Sequence, residues 1–319
     1  MRLVHEVNMF SLLKQRFSLF FLFLSVLIPI AVMVAADGRA VAQERPAITG
    51  IAFVRITASD RSASQNFYQQ TLGFEAGPLP NGRFRVRVNE LQWFEVASLK
   101  VAPEKGRLEA VGFSTHSAVA MEAYLCAHKV AIEVPLQHDR FAVRDPEGNL
   151  VYFVQQHLLP ARKPLLHAPS DRLIHAGFVV RDRAAEDRFY HDLLGFHLYW
   201  EGGMKEGNSD WVNMQVPDGT DCVEYMLHQA EHPSIRQLGI MNHFALGVES
   251  ISSAASQIQQ NGCIAGAVCE NPHMGREGKM GMNLYDPDGT RVELMEFQPT
   301  GKDFGAPFTG KHQSEKEDR

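Results

Sequence analysis

The chain has 319 residues, 45% of them hydrophobic, and a formal net charge of −6. That length accommodates two domains with substantial cores. The ordinary composition and mildly acidic balance offer no basic face for nucleic acid, so a small-molecule substrate is the expected partner. The sequence specifies no oligomeric state.

Residues 1–45 read as a segment apart from the rest. Arg2, Lys14 and Arg16 precede an apolar run over 17–36 that is broken only by Ser18, Ser25 and Pro29. Ala40-Val41-Ala42 ahead of Gln43 has the small-residue form of a signal-peptidase site. The other reading is membrane attachment through residues 17–36, because about 20 apolar residues span a bilayer. Both readings place the globular part outside the cytoplasm, either exported (periplasmic or secreted) or membrane-anchored.

An internal repeat organises the remainder. Residues 53–74 (FVRITASDRSASQNFYQQTLGF) align without a gap on 175–196 (HAGFVVRDRAAEDRFYHDLLGF), an offset of 122. Each copy predicts a strand, an Asp at a helix start (Asp60, Asp182), a helix carrying Phe-Tyr, and a Gly (Gly73, Gly195) at the helix C-terminus. Each half closes on a tight turn into a last strand: Asp145-Pro-Glu-Gly before LVYFVQQ, and Asp286-Pro-Asp-Gly before RVELMEF. A further strand and helix lie between these markers, Leu108–Thr115 with Ser117–Ala127 and Ile240–Val248 with Ile251–Asn261. The expected domains are therefore 46–158 and 171–299. A linker over 159–170 carries Pro160, Pro164 and Pro169, and the polar tail 300–319 is expected to be disordered.

Four residues of the second half carry the chemistry. His175 lies in the predicted strand Arg172–Val180 and His243 in Ile240–Val248, while Glu224 and Glu293 sit in the apolar runs DCVEYML and TRVELMEF. Alternate strand residues share a face. His175 therefore shares its face with Gly177 and Val179, and His243 with Ala245 and Gly247, so each imidazole looks over small residues into open space. Parity selects Glu293 over Glu296, which lies on the side of Val292 and Leu294. Two imidazoles and two carboxylates suit one divalent metal of intermediate hardness, such as Fe, Ni, Mn, Zn or Co. A carboxylate among apolar residues is costly unless something compensates it.

The four cysteines are too few and too scattered for a disulfide framework. Cys263 and Cys269 are spaced to bridge in an oxidising compartment. The other reading of all four is small core residues.

The repeated F-Y-x-x-x-L-G-F (67–74, 189–196) and D-P-[DE]-G markers resemble the vicinal oxygen chelate superfamily over roughly residues 47–298. That superfamily includes glyoxalase I, extradiol dioxygenases and bleomycin-resistance proteins. The resemblance implies an α+β fold of four βαβββ modules, paired into two half-open barrels with a metal on the concave face. It places ligands at His175 and His243 on first strands and at Glu224 and Glu293 on later ones. In the first half the matching positions hold Phe53, Ala110 and Tyr152, with Glu95 as the sole ligand type. A degenerate, metal-free first half is expected.

Glyoxalase I is the closest ligand match, and implies a metal-dependent lyase or isomerase in which Glu224 or Glu293 moves a proton while the metal holds neighbouring substrate oxygens. Val179 stands where glyoxalase I places an Arg toward glutathione, so the substrate is expected to differ. An extradiol-type Fe(II) dioxygenase is the runner-up, with His228 or His273 as acid–base group. Asn283 stands where such enzymes carry a Tyr. The Arg276–Lys279 segment (REGK) is a candidate grip for an anionic substrate group. A third reading is a metal-independent protein that sequesters a ligand.

Overall fold

The computed structural model describes residues 44–297, apart from 102–103, 105, 158–164, 228–229, 264–265 and 267. The apolar run 17–36, the tail 300–319 and His228 lie outside the described residues. No helix among the described residues is long and apolar enough to cross a membrane.

In the first half β1 (Ile48–Ala58) leads into α1 (Arg61–Asn66), then β2 (Glu75–Pro78), β3 (Phe84–Arg87) and β4 (Trp93–Ser98). β5 (Leu108–Thr115) leads into α2 (Ala118–Ala127), β6 (Val134–Gln137), β7 (Arg140–Arg144) and β8 (Leu150–Gln155). The second half repeats this with β9 (Arg172–Val179), α3 (Arg183–Asp187), β10 (His197–Gly202), β11 (Trp211–Gln215) and β12 (Cys222–Met226). After α4 (Ile235–Met241) come β13 (His243–Val248), α5 (Ile251–Gln260), β14 (His273–Met274), β15 (Met280–Tyr285) and β16 (Arg291–Glu296). Strand, helix and three strands thus recur four times. They build two eight-stranded mixed sheets of matching order, β2-β3-β4-β1-β5-β8-β7-β6 and β10-β11-β12-β9-β13-β16-β15-β14.

Local chemistry accounts for the helix ends. Asp60 Oδ1 accepts from the backbone N–H groups of Ser62 and Ala63, and Asp182 Oδ1 from Ala185, which satisfies donors that a first helical turn leaves free. Both Phe-Tyr helices then widen into a π turn, Phe67–Thr71 and Arg188–Leu193. Gly73 and Gly195 follow at φ 70° and 76°, a left-handed conformation that a side chain disfavours. One boundary departs from the sequence reading: Ile240 and Met241 end a helix rather than begin a strand. Ser234 and Gln237 form a reciprocal capping box that nucleates α4. β13 therefore begins on His243 itself.

The sheets share one apolar core. Phe94 packs on Phe244 at 5.3 Å between ring centroids, and Phe113 on Phe196 at 5.2 Å. The two repeat markers meet across this junction. Tyr68 of the first half donates to Asp286 Oδ2 of the second at 3.0 Å, and Tyr190 of the second donates to Asp145 Oδ2 of the first at 3.3 Å.

Candidate metal centre

The four candidate ligands stand on the four central strands of the second sheet, and the strand registers put them in two rows. Across β12, β9 and β13, Glu224 pairs with Gly177 and Gly177 with His243. Across β9, β13 and β16, His175 pairs with Ala245 and Ala245 with Glu293. Each row therefore sets a small residue beside an imidazole. A Cβ at Gly177 would meet His243 Cε1 at 2.2 Å, so the His243 ring occupies the space a side chain would take.

The functional atoms converge. His175 Nε2 and His243 Nε2 are 3.1 Å apart. Glu224 Oε2 lies 3.0 Å from His243 Nε2 and 3.8 Å from His175 Nε2. Glu293 Oε2 lies 3.4 Å from His175 Nε2 and 3.6 Å from His243 Nε2. His175, His243 and Glu293 each present one ligand atom, all within 4.8 Å of one another. The Met241 carbonyl accepts a hydrogen bond from His243 Nδ1–H at 3.0 Å, which orients the ring and turns Nε2 inward.

Arg291, on the same face of β16 as Glu293, is a neighbour that the sequence reading overlooked. Its Nη2 lies 2.7 Å from His243 Nε2 and 4.0 Å from Glu293 Oε2. The available signal was parity, since residues two apart on a strand share a face. Burial disfavours charge on Glu293, but Arg291 and the two imidazoles outweigh it and hold the carboxyl well below its usual value. Burial likewise opposes the Glu224 carboxylate, and its His243 hydrogen bond and the His175 charge again prevail. One His243 Nε2 cannot both accept from Arg291 and donate to Glu224. A divalent cation bound by that nitrogen would take its one lone pair and leave Arg291 to pair with Glu293, and two imidazoles with carboxylate oxygens fit such an ion.

A cavity of about 270 Å³ opens on this centre, lined by Glu224, Glu293, Arg291, Trp200, Trp211 and His273 among others. A larger hollow of about 640 Å³, bounded by Ser170, Arg172, Gln257 and Phe297, holds none of the candidate ligands. The loop after β14 folds over the smaller cavity. Arg276 lines it but donates to the Met204 carbonyl at 2.6 Å, while Lys279 Nζ donates to Tyr199 Oη at 3.1 Å. These two contacts tie the β14–β15 loop to the β10 side of the sheet. Glu277, between them, also lines the cavity, and burial raises its carboxyl to about 7 against the pull of Lys279. Asn283 sits opposite Glu293 and donates to Glu270 at 2.9 Å, and Tyr285 reaches the same carboxylate at 3.0 Å. Cys263 and Cys269 form a disulfide just before Glu270.

The first sheet has matching registers. Arg55 pairs with Glu95 and with Ala110, and Gly112 with both Phe53 and Tyr152. Phe53, Ala110, Tyr152 and Glu95 therefore stand where His175, His243, Glu293 and Glu224 stand in the second sheet.

Residues 172–294 match the profile of the family described as the Glyoxalase/Bleomycin resistance protein/Dioxygenase superfamily. This C-terminal part belongs to that superfamily. Over 124 residues the chain is 25% identical to YaeR, an uncharacterized protein of Escherichia coli (strain K12), which covers 38% of this chain and 93% of that protein. The fold is similar to that of the 2,3-dioxygenase LapB from Pseudomonas sp. KL28, with a TM-score of 0.63 at 15% identity over 85% of this chain and 99% of that one. A variant of homoprotocatechuate 2,3-dioxygenase from B. fuscum gives 0.62 at 17% identity, covering 85% of this chain and 76% of that one. Both structures are similar to this chain in fold over 85% of its length.

Proposed function

We propose that the C-terminal half is a metal-dependent lyase or isomerase of the glyoxalase type. It would hold one divalent ion through His175, His243 and Glu293 and act on a small substrate with neighbouring oxygens. The observation that carries this reading is the place of Glu224. Its carboxylate faces both imidazoles, at 3.0 and 3.8 Å, and also lines the cavity. A carboxylate so placed can reach a substrate carbon and move a proton there. When bound, the metal supplies Lewis acidity to paired substrate oxygens. Arg291 adds fixed positive charge at the cavity wall, where negative charge develops on a substrate as its proton leaves. Trp200 and Trp211 give that wall apolar surface that limits water. Export belongs to the same proposal, because a disulfide such as Cys263–Cys269 persists in oxidising compartments.

A second reading, an Fe(II) ring-cleaving dioxygenase, draws on the two-His, one-Glu group and on the fold shared with the two dioxygenases. The full-length protein, stripped of metal and reconstituted anaerobically with Fe(II), Mn(II), Ni(II) or Zn(II), separates the two. The expected result is turnover of α-oxoaldehydes or their hemithioacetals with Ni(II) or Zn(II), indifferent to O₂. Stoichiometric O₂ uptake with a catechol, only in the Fe(II) or Mn(II) protein, overturns the first reading and supports the second.

A further inference from the structure

The concave face of the first sheet carries a charge imbalance that folding does not require. Glu95 is fully buried, and four guanidinium groups converge on it. Arg55 alone would neutralise it: its Nε and Nη2 both reach Glu95 Oε2 at 3.0 Å, and its Nη1 donates to Tyr152 at 3.1 Å. The other three each approach with one nitrogen, Arg140 at 3.0 Å, Arg83 at 3.4 Å and Arg85 at 4.0 Å. Among the described residues, none of these three pairs with another carboxylate. Each guanidinium has five N–H donors, so most of their capacity is unspent. Arg83 Nε is itself buried without a partner.

Crowding like charges is unfavourable unless an anion joins them. The crowding registers on Arg85, which burial lowers and the Arg140 and Arg83 charges lower further, against the pull of Glu95. The arginines also come from opposite sides of the bowl. Arg83 and Arg85 belong to the β3 segment and Arg140 to β7, with β4, β1, β5 and β8 between them in the sheet. Their side chains stay partly open to solvent, at 25%, 44% and 28%. Aromatic rings back the cluster: Trp93 stacks on Phe53 at 5.3 Å, Arg85 lies 4.5 Å over Trp93, and Arg140 lies 5.7 Å from the Phe53 and Tyr152 ring centres.

We propose that this face binds a small molecule bearing a carboxylate or phosphate group, gripped by Arg83, Arg85 and Arg140. Guanidinium forks match both oxyanions through paired N–H contacts. Phe53, Ala110 and Tyr152 at the positions matching the candidate ligands, and the arginines around Glu95, then have one explanation, an anion site where the second sheet carries a metal-type site. The proposal is independent of the reaction assigned to the second half.

Calorimetric titration of the full-length protein tests it, with inorganic phosphate in one arm and benzoate in the other. Saturable binding of at least one probe is expected, with the better arm naming the oxyanion. Affinity should fall roughly tenfold or more in Arg85→Gln and in Arg140→Gln, since each removes a charged contact. Arg144→Gln, at an exposed arginine that pairs with Glu133 outside the cluster, should leave it unchanged. Circular dichroism confirms folding, and Arg85, the most exposed of the three, still reads the site if Arg140→Gln fails to fold. Absence of binding in both arms overturns the proposal, as does binding that Arg144→Gln abolishes and Arg85→Gln spares.

Discussion

His243 keeps its place because Gly177 has no side chain. Gly177→Ala is therefore expected to displace the ring from Met241 and the ligand cluster, since the added carbon would lie 2.2 Å from Cε1. Metal analysis of the purified variant should give a large loss of bound ion with the fold retained by circular dichroism; undiminished occupancy would show that the ring position is irrelevant. The His175→Ala/His243→Ala double variant should go further, from about one ion per chain to almost none, because one carboxylate pair holds such metals weakly. The residue types were legible in the sequence, as was the strand parity that chose Glu293. Arg291 went unread because a basic residue at the start of a strand is usually solvated; parity sets it on the face of Glu293, and the sheet register brings it against His243.

At the scale of elements, equivalent strands of the two sheets carry opposite solutions to a buried carboxylate. Glu224 faces imidazoles and Glu95 faces guanidinium groups. Glu95→Gln should accordingly destabilise the protein by about 3–5 kcal/mol, because it leaves Arg55 buried without its partner. Urea unfolding measures the loss, and the metal content of the folded fraction should not change; a fall in metal content would mean that the halves share a site. The helix starts at Asp60 and Asp182 were readable because side-chain capping is local chemistry. The start of β13 was misread because Ile240-Met241 is apolar in either element, and the capping box six residues upstream decides for helix.

On the scale of the whole molecule, ionisable groups are buried where the halves meet. Glu186 of α3 accepts from the Glu147 backbone N–H of the first half at 2.9 Å, and its other oxygen is buried without a partner. Burial, with the Asp145 and Glu147 carboxylates beside it, pushes the Glu186 carboxyl well above its ordinary value. A carboxyl raised on folding contributes stability that is complete below its unfolded value, 4.5, and is lost as pH rises through the folded value. Asp286, raised to about 6 by burial, adds to the loss between pH 4 and 6. The thermal midpoint should therefore decline from mildly acid to alkaline pH. Glu186→Gln, which mimics the protonated acid, should raise the midpoint by roughly 2–6 °C at pH 8 and change it little at pH 5. A larger gain at pH 5 than at pH 8 contradicts this assignment.

Sequence alone determined the four-fold recurrence of strand, helix and three strands, because period-two apolar runs, Asp caps and left-handed glycines act over a few residues. It also determined which half carries metal-type side chains, since the gapless repeat sets Phe53 against His175. The tertiary structure decided what those side chains meet. Convergence of His175, Glu224, His243 and Glu293 depends on the pairing of β12, β9, β13 and β16, strands up to 119 residues apart in the chain as measured from Arg172 to Arg291. It decided, too, that Tyr68 and Tyr190 reach across to Asp286 and Asp145, so that the two repeat markers recognise each other rather than their own half. Hydrogen bonds between distant segments leave no periodic trace in the chain, because nothing in local spacing records which sheet a side chain will face.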